Sequence, residues 1–198
     1  VNVPIIGINS IQPEERGFDA AVRIDDKQGS ELAARHLMTL GHNDIAYIRT
    51  DRDVTLHFSV QGRFESFMAC CATNGITPRV LVTDEGKNNI SKVVTQLLSL
   101  DHMPTAIACQ EDGIAVPLLF QLERNGFTVP NDISIIGYDD STYARDLSLT
   151  TVRQEPVKMA QEAARMTLSL IEKQPLAEPF TTFPAQLIVR STTARLHR

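Results

Sequence analysis

Short β-branched runs alternate with longer segments of helical period along the whole chain, and that alternation admits few folds. The runs are Ile5 to Ile8, Ile45 to Ile48, Val80 to Thr83, Ala106 to Cys109 and Ile133 to Tyr138. They are largely continuous in hydrophobicity, as expected of parallel strands buried on both faces. Between them, Leu32, Ala33, His36, Leu37 and Leu40 line one face of a helix, and Gly41 stands where its C-terminal cap belongs. Val60, Phe64, Phe67, Met68 and Cys71 recur at steps of three and four before Asn74-Gly75, and Ile90, Val93, Val94, Leu97 and Leu98 repeat the pattern. Asp112 is placed to cap a helix carrying Ile114, Ala115, Leu118, Leu119 and Leu122. Pro117 inside it predicts a kink or a late start, because an interior proline removes a backbone bond at a cost of about 3 kcal/mol. A last helix is expected from about Glu155 to Glu172 and a final strand over Gln186 to Val189.

Elements in this order predict an α/β fold with doubly wound parallel sheets, whose ligands bind at the carboxyl ends of the strands. The segments following the strands are therefore the candidate site: 49–59, 84–88, 110–112 and 139–141. Asp139 and Asp140 would emerge at the mouth of the sheet, where carboxylates bind ligand hydroxyl or amine groups; the plainer reading is an Asp-rich turn with a helix cap. Arg63 lies four residues after Ser59, so helical spacing sets both on one side. A bidentate donor there suits a polyol or carboxylate, against the plainer reading of a solvated arginine. Glu111 and Asp112 close a strand and open a helix. Capping is the natural role of Asp112, whereas Glu111, if it shares a crevice with Asp139, would favour a cation or a shared proton.

Composition narrows the partners. At 198 residues, 42% of them hydrophobic, the chain holds one full α/β domain and part of another. Nineteen Lys+Arg against 24 Asp+Glu leave a net charge of −5, with no basic run, so this chain does not itself grip a nucleic acid. The apolar stretches are strand-sized, far short of a membrane span. Three cysteines, two of them adjacent as Cys70 and Cys71, form neither a disulfide framework nor a spaced metal site, which fits a reducing, cytoplasmic compartment. His36 and His42 are too loosely spaced to argue for zinc, and no metal is expected. Glycine-rich nucleotide loops, hydrolase elbows and redox motifs are absent from the sequence, so neither a cofactor nor catalysis is expected. Pro4-Ile5-Ile6-Gly7-Ile8 begins like a strand already under way, and more chain is expected before Val1.

The segments taken together resemble the lactose/galactose repressor family of bacterial transcription regulators, from about Val1 to the end. His36-Leu37 with Gly41-His42 and Ile45-Ala46, Arg63 with Phe67, and Pro104-Thr105-Ala106-Ile107 occur in that family's order and spacing. The strongest block runs from Gly126-Phe127-Thr128-Val129-Pro130 through Asn131-Asp132-Ile133-Ser134 to Ile135-Ile136-Gly137-Tyr138-Asp139-Asp140. Leu149-Thr150-Thr151-Val152-Arg153-Gln154 and the closing Leu187 to Thr193 are also similar to the family's pattern.

The resemblance implies a two-lobed, periplasmic-binding-protein-like core whose subdomains are joined by three crossovers. It places residues 1–49 and 151–181 in a partial N-subdomain and residues 50–150 and 182–198 in the C-subdomain, with the helix-turn-helix domain and first βα units expected ahead of Val1. It assigns Arg63 and Asp139 to a ligand clamp, Gln154 to a crossover near the pocket and Ser59 to a polar pocket position. Glu111 falls where the family usually carries asparagine, so an acceptor-only carboxylate replaces an amide and ligand preference should differ. No aromatic stands near Glu85 to Lys87, where sugar-binding relatives often stack one on the ligand; His57 or Phe58 is the substitute apolar face. Val116, Leu119 and Leu147 are the implied dimer contacts, with Leu119 equally suited to the core. The implied protein is a homodimeric repressor in which a sugar or related polar metabolite changes the affinity of separate DNA-binding heads for operator DNA. The alternative on the same fold is a periplasmic-type solute-binding protein for sugar transport, against which stand the Gly137-Tyr138-Asp139-Asp140 and Leu149-Thr150-Thr151-Val152 blocks and the unpaired cysteines.

Overall fold

The structure is a computed structural model and describes residues 3–9, 17–51, 58–84 and 90–196. Strands β1 (Ile6–Ile8), β2 (Ala20–Ile24) and β8 (Phe180–Phe183) form a parallel sheet in the order β1-β2-β8. Strands β3 (Ile45–Thr50), β4 (Arg79–Thr83), β5 (Ala106–Cys109) and β6 (Ser134–Ile136) form a second parallel sheet in the order β4-β3-β5-β6. An antiparallel pair, β7 (Thr151–Arg153) with β9 (Gln186–Ile188), continues beside β6 through the Ile136–Thr150 bridge.

The four-stranded sheet is covered on both faces, which is why its strands read as continuous apolar runs. Ile45 and Tyr47 of β3 pack on one side with Ala106 and Ala108 of β5, against helices α1 (Asp26–Thr39) and α2 (Phe58–Thr73). Ala46, Ile48, Ile107 and Cys109 point to the other side, against α3 (Ile90–Leu98) and α4 (Asp112–Arg124). This strict alternation is the period of two of a strand read out in two separate cores. Helix α6 (Pro156–Ile171) covers β1 and β2 with Met159, Ala163 and Met166.

Three local expectations change. The sequence reading holds no strand between Ile8 and Ile45, yet Ala20–Ile24 is the central strand of the first sheet; two alanines and Arg23 in five residues make a weak β signal, and burial against α6 decides the outcome. Asp112 is the first residue of α4 rather than its cap, and its carboxylate accepts instead from Ser141 N and Thr151 Oγ1, both at 2.7 Å. The helix begins at Asp112 in spite of Pro117, so it does not start late; a proline six residues in forgoes only the bond to the Gly113 carbonyl.

The chain passes between the sheets after β2, between β7 and α6, and between β8 and β9. β3 pairs with both β4 and β5, and α1 packs on α2, so residues from Asp25 onward lie with the second sheet.

Candidate functional site

Parallel strands deliver their carboxyl ends to one edge, and here both sheets aim that edge at the same place. Asn9 follows β1, Asp25 and Asp26 follow β2, Gln110 and Glu111 follow β5, and Asp139 follows β6. Asp139 and Asp140 both take positive φ, 114° and 54°, a region that non-glycine residues rarely occupy. The crossover strand enforces it: Asp139 N donates to the Val152 carbonyl at 2.7 Å, and Asp139 bridges Arg153. The turn is thus set by pairing with a segment a dozen residues later, and it sends two adjacent carboxylates in different directions.

Asp139 meets Arg63. The guanidinium is buried on α2 and lies over the Tyr138 ring at 3.9 Å. Its Nε donates to Asp26 Oδ1 at 2.7 Å, and its Nη1 donates to the Gln110 carbonyl at 3.1 Å and to Asp139 Oδ1 at 3.2 Å. Burial opposes the guanidinium charge, but Asp139 and Asp26 outweigh it and hold the pKa above the ordinary arginine value. Gln154 donates from Nε2 to the same Asp139 oxygen and accepts on Oε1 from Asn9 Nδ2 at 3.0 Å. Asn9 in turn accepts from Ile24 N at 3.0 Å. A continuous polar chain therefore runs from the first sheet through Asn9, Gln154, Asp139 and Arg63 to Asp26.

Asp139 is the group this environment poises. Burial pushes its carboxyl up to about 6; Arg63 and the Gln154 hydrogen bond act the other way, and the charges of Asp112 and Glu111 add to the rise. Glu111 stands at the N-cap of α4 with no side-chain capping bond and is half-buried. Its charge is among those that raise the Asp139 carboxyl.

A cleft of about 510 Å³ opens beside this cluster, lined by Asn9, Asp26, Lys27, Phe58, Ser59 and Thr182 among others. Ser59 lines its wall, and Phe58 supplies an exposed ring. His57 lies outside the described residues. Asp140 points away and serves the scaffold, taking hydrogen bonds from Arg190 at 2.6 Å and Arg153 at 2.7 Å. Asn9 and Asp26 were not among the sequence candidates, whereas Gln110 opens the candidate segment 110–112. The Asp25-Asp26 pair carries the signal that would have found one of them, since it follows Ala20–Ile24 as Asp139-Asp140 follows β6, once that run is read as a strand.

Of the dimer positions, Leu119 is packed within the α4 core at 7% exposure. Val116 and Leu147 are half-buried, and Phe120 and Tyr143, one helical turn from each, are exposed. His36 and His42 bind the closing segment: His36 Nε2 pairs with Thr193 Oγ1 at 2.9 Å and His42 Nε2 with the Ala194 carbonyl at 3.0 Å. The cysteines are free and buried, and burial pushes the Cys71 thiol up to about 12, the range of an unreactive core residue. Among the described residues no helix is long and apolar enough to cross a membrane.

Two parallel sheets joined by three passages, with a polar cluster strung between their carboxyl ends, define a two-lobed α/β core of the kind that holds small ligands. The family model for the periplasmic binding protein-like domain matches residues 34–193. The HTH-type transcriptional regulator GalR of Escherichia coli is 34% identical over 194 residues, 94% of this chain and 54% of the relative. The arabinose metabolism transcriptional repressor of Geobacillus stearothermophilus is 32% identical over 188 residues, 88% of this chain and 50% of the relative. A crystal structure of a LacI family transcriptional regulator from Enterococcus faecium with bound ribose superposes with a TM-score of 0.86 at 29% identity, over 98% of this chain and 72% of that one. The chain belongs to the lactose/galactose repressor (LacI/GalR) family and carries its periplasmic-binding-protein-like domain. It spans about half the length of the curated relatives it matches.

Proposed function

We propose that these residues form the effector-binding and dimerisation core of a cytoplasmic, DNA-binding transcription repressor. A sugar or related polar metabolite binds between the lobes and alters affinity for operator DNA, which other parts of the protein contact. The observation that carries this reading is the polar chain from Asn9 to Asp26. It draws on both sheets, and Asp139, Arg63 and Gln154 present the alternating acceptors and donors that ligand hydroxyls require. The family membership and the names of the relatives, regulators without exception among those cited above, support regulation over catalysis or solute transport. The lobes, residues 3–24 with 154–183 and residues 25–153 with 184–196, act as the two subdomains. The effector shifts their arrangement only by its differential affinity for the two states, a coupling of about 1–3 kcal/mol in typical cases. Dimerisation uses the outer face of α4 and of the short helix α5 (Thr142–Asp146), through Val116, Phe120, Tyr143 and Leu147.

The test is a thermal-shift and calorimetric screen of sugars, including D-ribose, D-galactose and L-arabinose, with nucleosides and amino acids beside them, on the full-length protein. The same ligands are then tested for an effect on DNA binding. A hit that changes operator affinity and is lost in both Arg63→Ala and Asp139→Ala supports the reading. A hit undiminished in both variants removes the site assignment, and the absence of any hit removes the effector class.

A further inference from the structure

Arg63 is a buried guanidinium beside a ligand-sized cleft, and such a group ordinarily recruits anions. Here its charge is already taken. Asp26 reaches it from the first turn of α1, 37 residues away in sequence, and accepts from Nε at 2.7 Å; Asp139 accepts from Nη1 at 3.2 Å. The pair with Asp26 is the shorter and the better shielded, with side-chain exposures of 8% and 13%, against 34% for Asp139. Tyr138 closes one face of the guanidinium plane and the Gln110 carbonyl takes a further share of Nη1. One cation thus stands between two carboxylates, and the local balance is negative by one charge.

The cleft wall itself is balanced: Asp25 and Asp26 line it together with Lys27 and Arg23, and Arg23 is turned to Thr182, donating from Nε to Oγ1 at 3.1 Å. A phosphate ester brought here would meet Asp25 and Asp26 beside the solvent-exposed Lys27 and Arg23, and would find the buried Arg63 already engaged by Asp26 and Asp139. A neutral ligand meets a Ser59 hydroxyl, carboxylate oxygens and the exposed Phe58 ring, which suits hydroxyl groups on a ring with an apolar face.

We infer that Asp26 sets the charge preference of the cleft: by neutralising Arg63 it makes the site accept uncharged, hydroxyl-bearing ligands and reject their phosphate esters. Asp26 is then a specificity residue acting through Arg63 rather than a second copy of the Asp139 clamp. This rests on the reading of the cleft as an effector site.

The discriminating variant is Asp26→Asn in the full-length protein, which keeps an acceptor for Arg63 Nε while removing the charge. Affinities are measured by calorimetry for every sugar that binds the wild type, for its phosphate ester, and for orthophosphate. The wild type is expected to bind the free sugar at least tenfold more tightly than the ester. The variant is expected to raise the ester-to-sugar affinity ratio, and the affinity for orthophosphate, on the order of tenfold. A merely structural role would weaken all ligands alike and leave the ratio unchanged, which would overturn the inference, as would wild-type protein that binds ester and sugar equally. If no sugar binds the wild type, the effector reading fails by itself, and orthophosphate still decides the role of Asp26: a gain in the variant upholds it, and no gain overturns it.

Discussion

Asp140 and Arg190 form a part-buried ion pair at 2.6 Å, fifty residues apart in sequence, immediately beside Asp139. The Asp140 side chain is 2% exposed, and its second oxygen takes Arg153 Nε at 2.7 Å. The pair ties the turn after β6 to both crossover strands, because Arg153 ends β7 and Arg190 follows β9. Asp139 is aimed by what its neighbour holds.

Asp140→Ala is therefore expected to destabilise the fold by about 2–3 kcal/mol, since it leaves the half-buried Arg190 without its carboxylate. Burial favours the neutral acid, but hydrogen bonds from Arg190 and Arg153 prevail and hold the carboxyl below the usual carboxylate range. A depressed folded pKa means that the contribution is full above the unfolded value near pH 4 and is lost as pH falls through the folded one. Urea melts at pH 7 and at pH 3 check both points: the penalty of Asp140→Ala should shrink at the lower pH.

Asp139 has the opposite sign. Its folded carboxyl sits at about 6, above the unfolded value, so stability is fully present below about pH 4 and declines as pH rises through 6. Asp139→Asn should flatten stability across that window. Ligand hydroxyls donate best to the ionised acid, so effector affinity should rise between pH 5 and 7 in the wild type and stay level in the variant. Calorimetric titrations at three pH values are sufficient, and a pH-independent wild type would contradict the assignment.

Gly29 of α1 lies against the Tyr138 hydroxyl, which has no hydrogen-bond partner among the described residues. A Cβ at Gly29 would overlap that hydroxyl and stand 2.9 Å from Ala185 Cβ. Gly29→Ala is expected to cost about 1–3 kcal/mol through overpacking, despite alanine's better helix propensity. Tyr138→Phe alone should be close to neutral, because the group it removes satisfies nothing. The double variant should recover part of the loss, and a thermal-melt double-mutant cycle with zero coupling would refute the contact.

Phe120 and Tyr143 are 47% and 72% exposed on α4 and α5. Phe120→Glu combined with Tyr143→Glu is expected to leave each protomer folded, since surface changes typically stay within about 0.5 kcal/mol per site, while shifting the protein from dimer to monomer. Sedimentation of the full-length protein checks it. A variant that remains dimeric would place the interface elsewhere.

What could be read from residues alone followed how local each signal is. The helical faces of Leu32 to Leu40 and of Val60 to Cys71, and the runs at β3, β5 and β6, are short-range periodic patterns, and the structure reproduces them with boundaries shifted by a few residues. β2 escaped because a short run with two alanines depends for its strand character on burial under α6. The first passage of the chain between the sheets follows this strand. Ser59, Glu111 and Asp139 follow strand ends, which sequence order does reveal, whereas Arg63 was singled out by helical spacing and Gln154 only by the family resemblance. Asp112 went to Ser141 and Thr151 in place of its own helix, a choice no spacing encodes.

By itself the sequence determined the alternating elements, the parallel sheets and the edge at which a ligand belongs, since hydrophobic period and turn residues act over a few positions. Only the tertiary structure decided which polar groups meet there. Asp26 closing on Arg63 across 37 residues, and Asn9 reaching Gln154 across 145, depend on how two sheets are set by their crossovers. A buried charge must find a partner wherever packing brings one near. That requirement is strong, but it leaves no periodic trace along the chain.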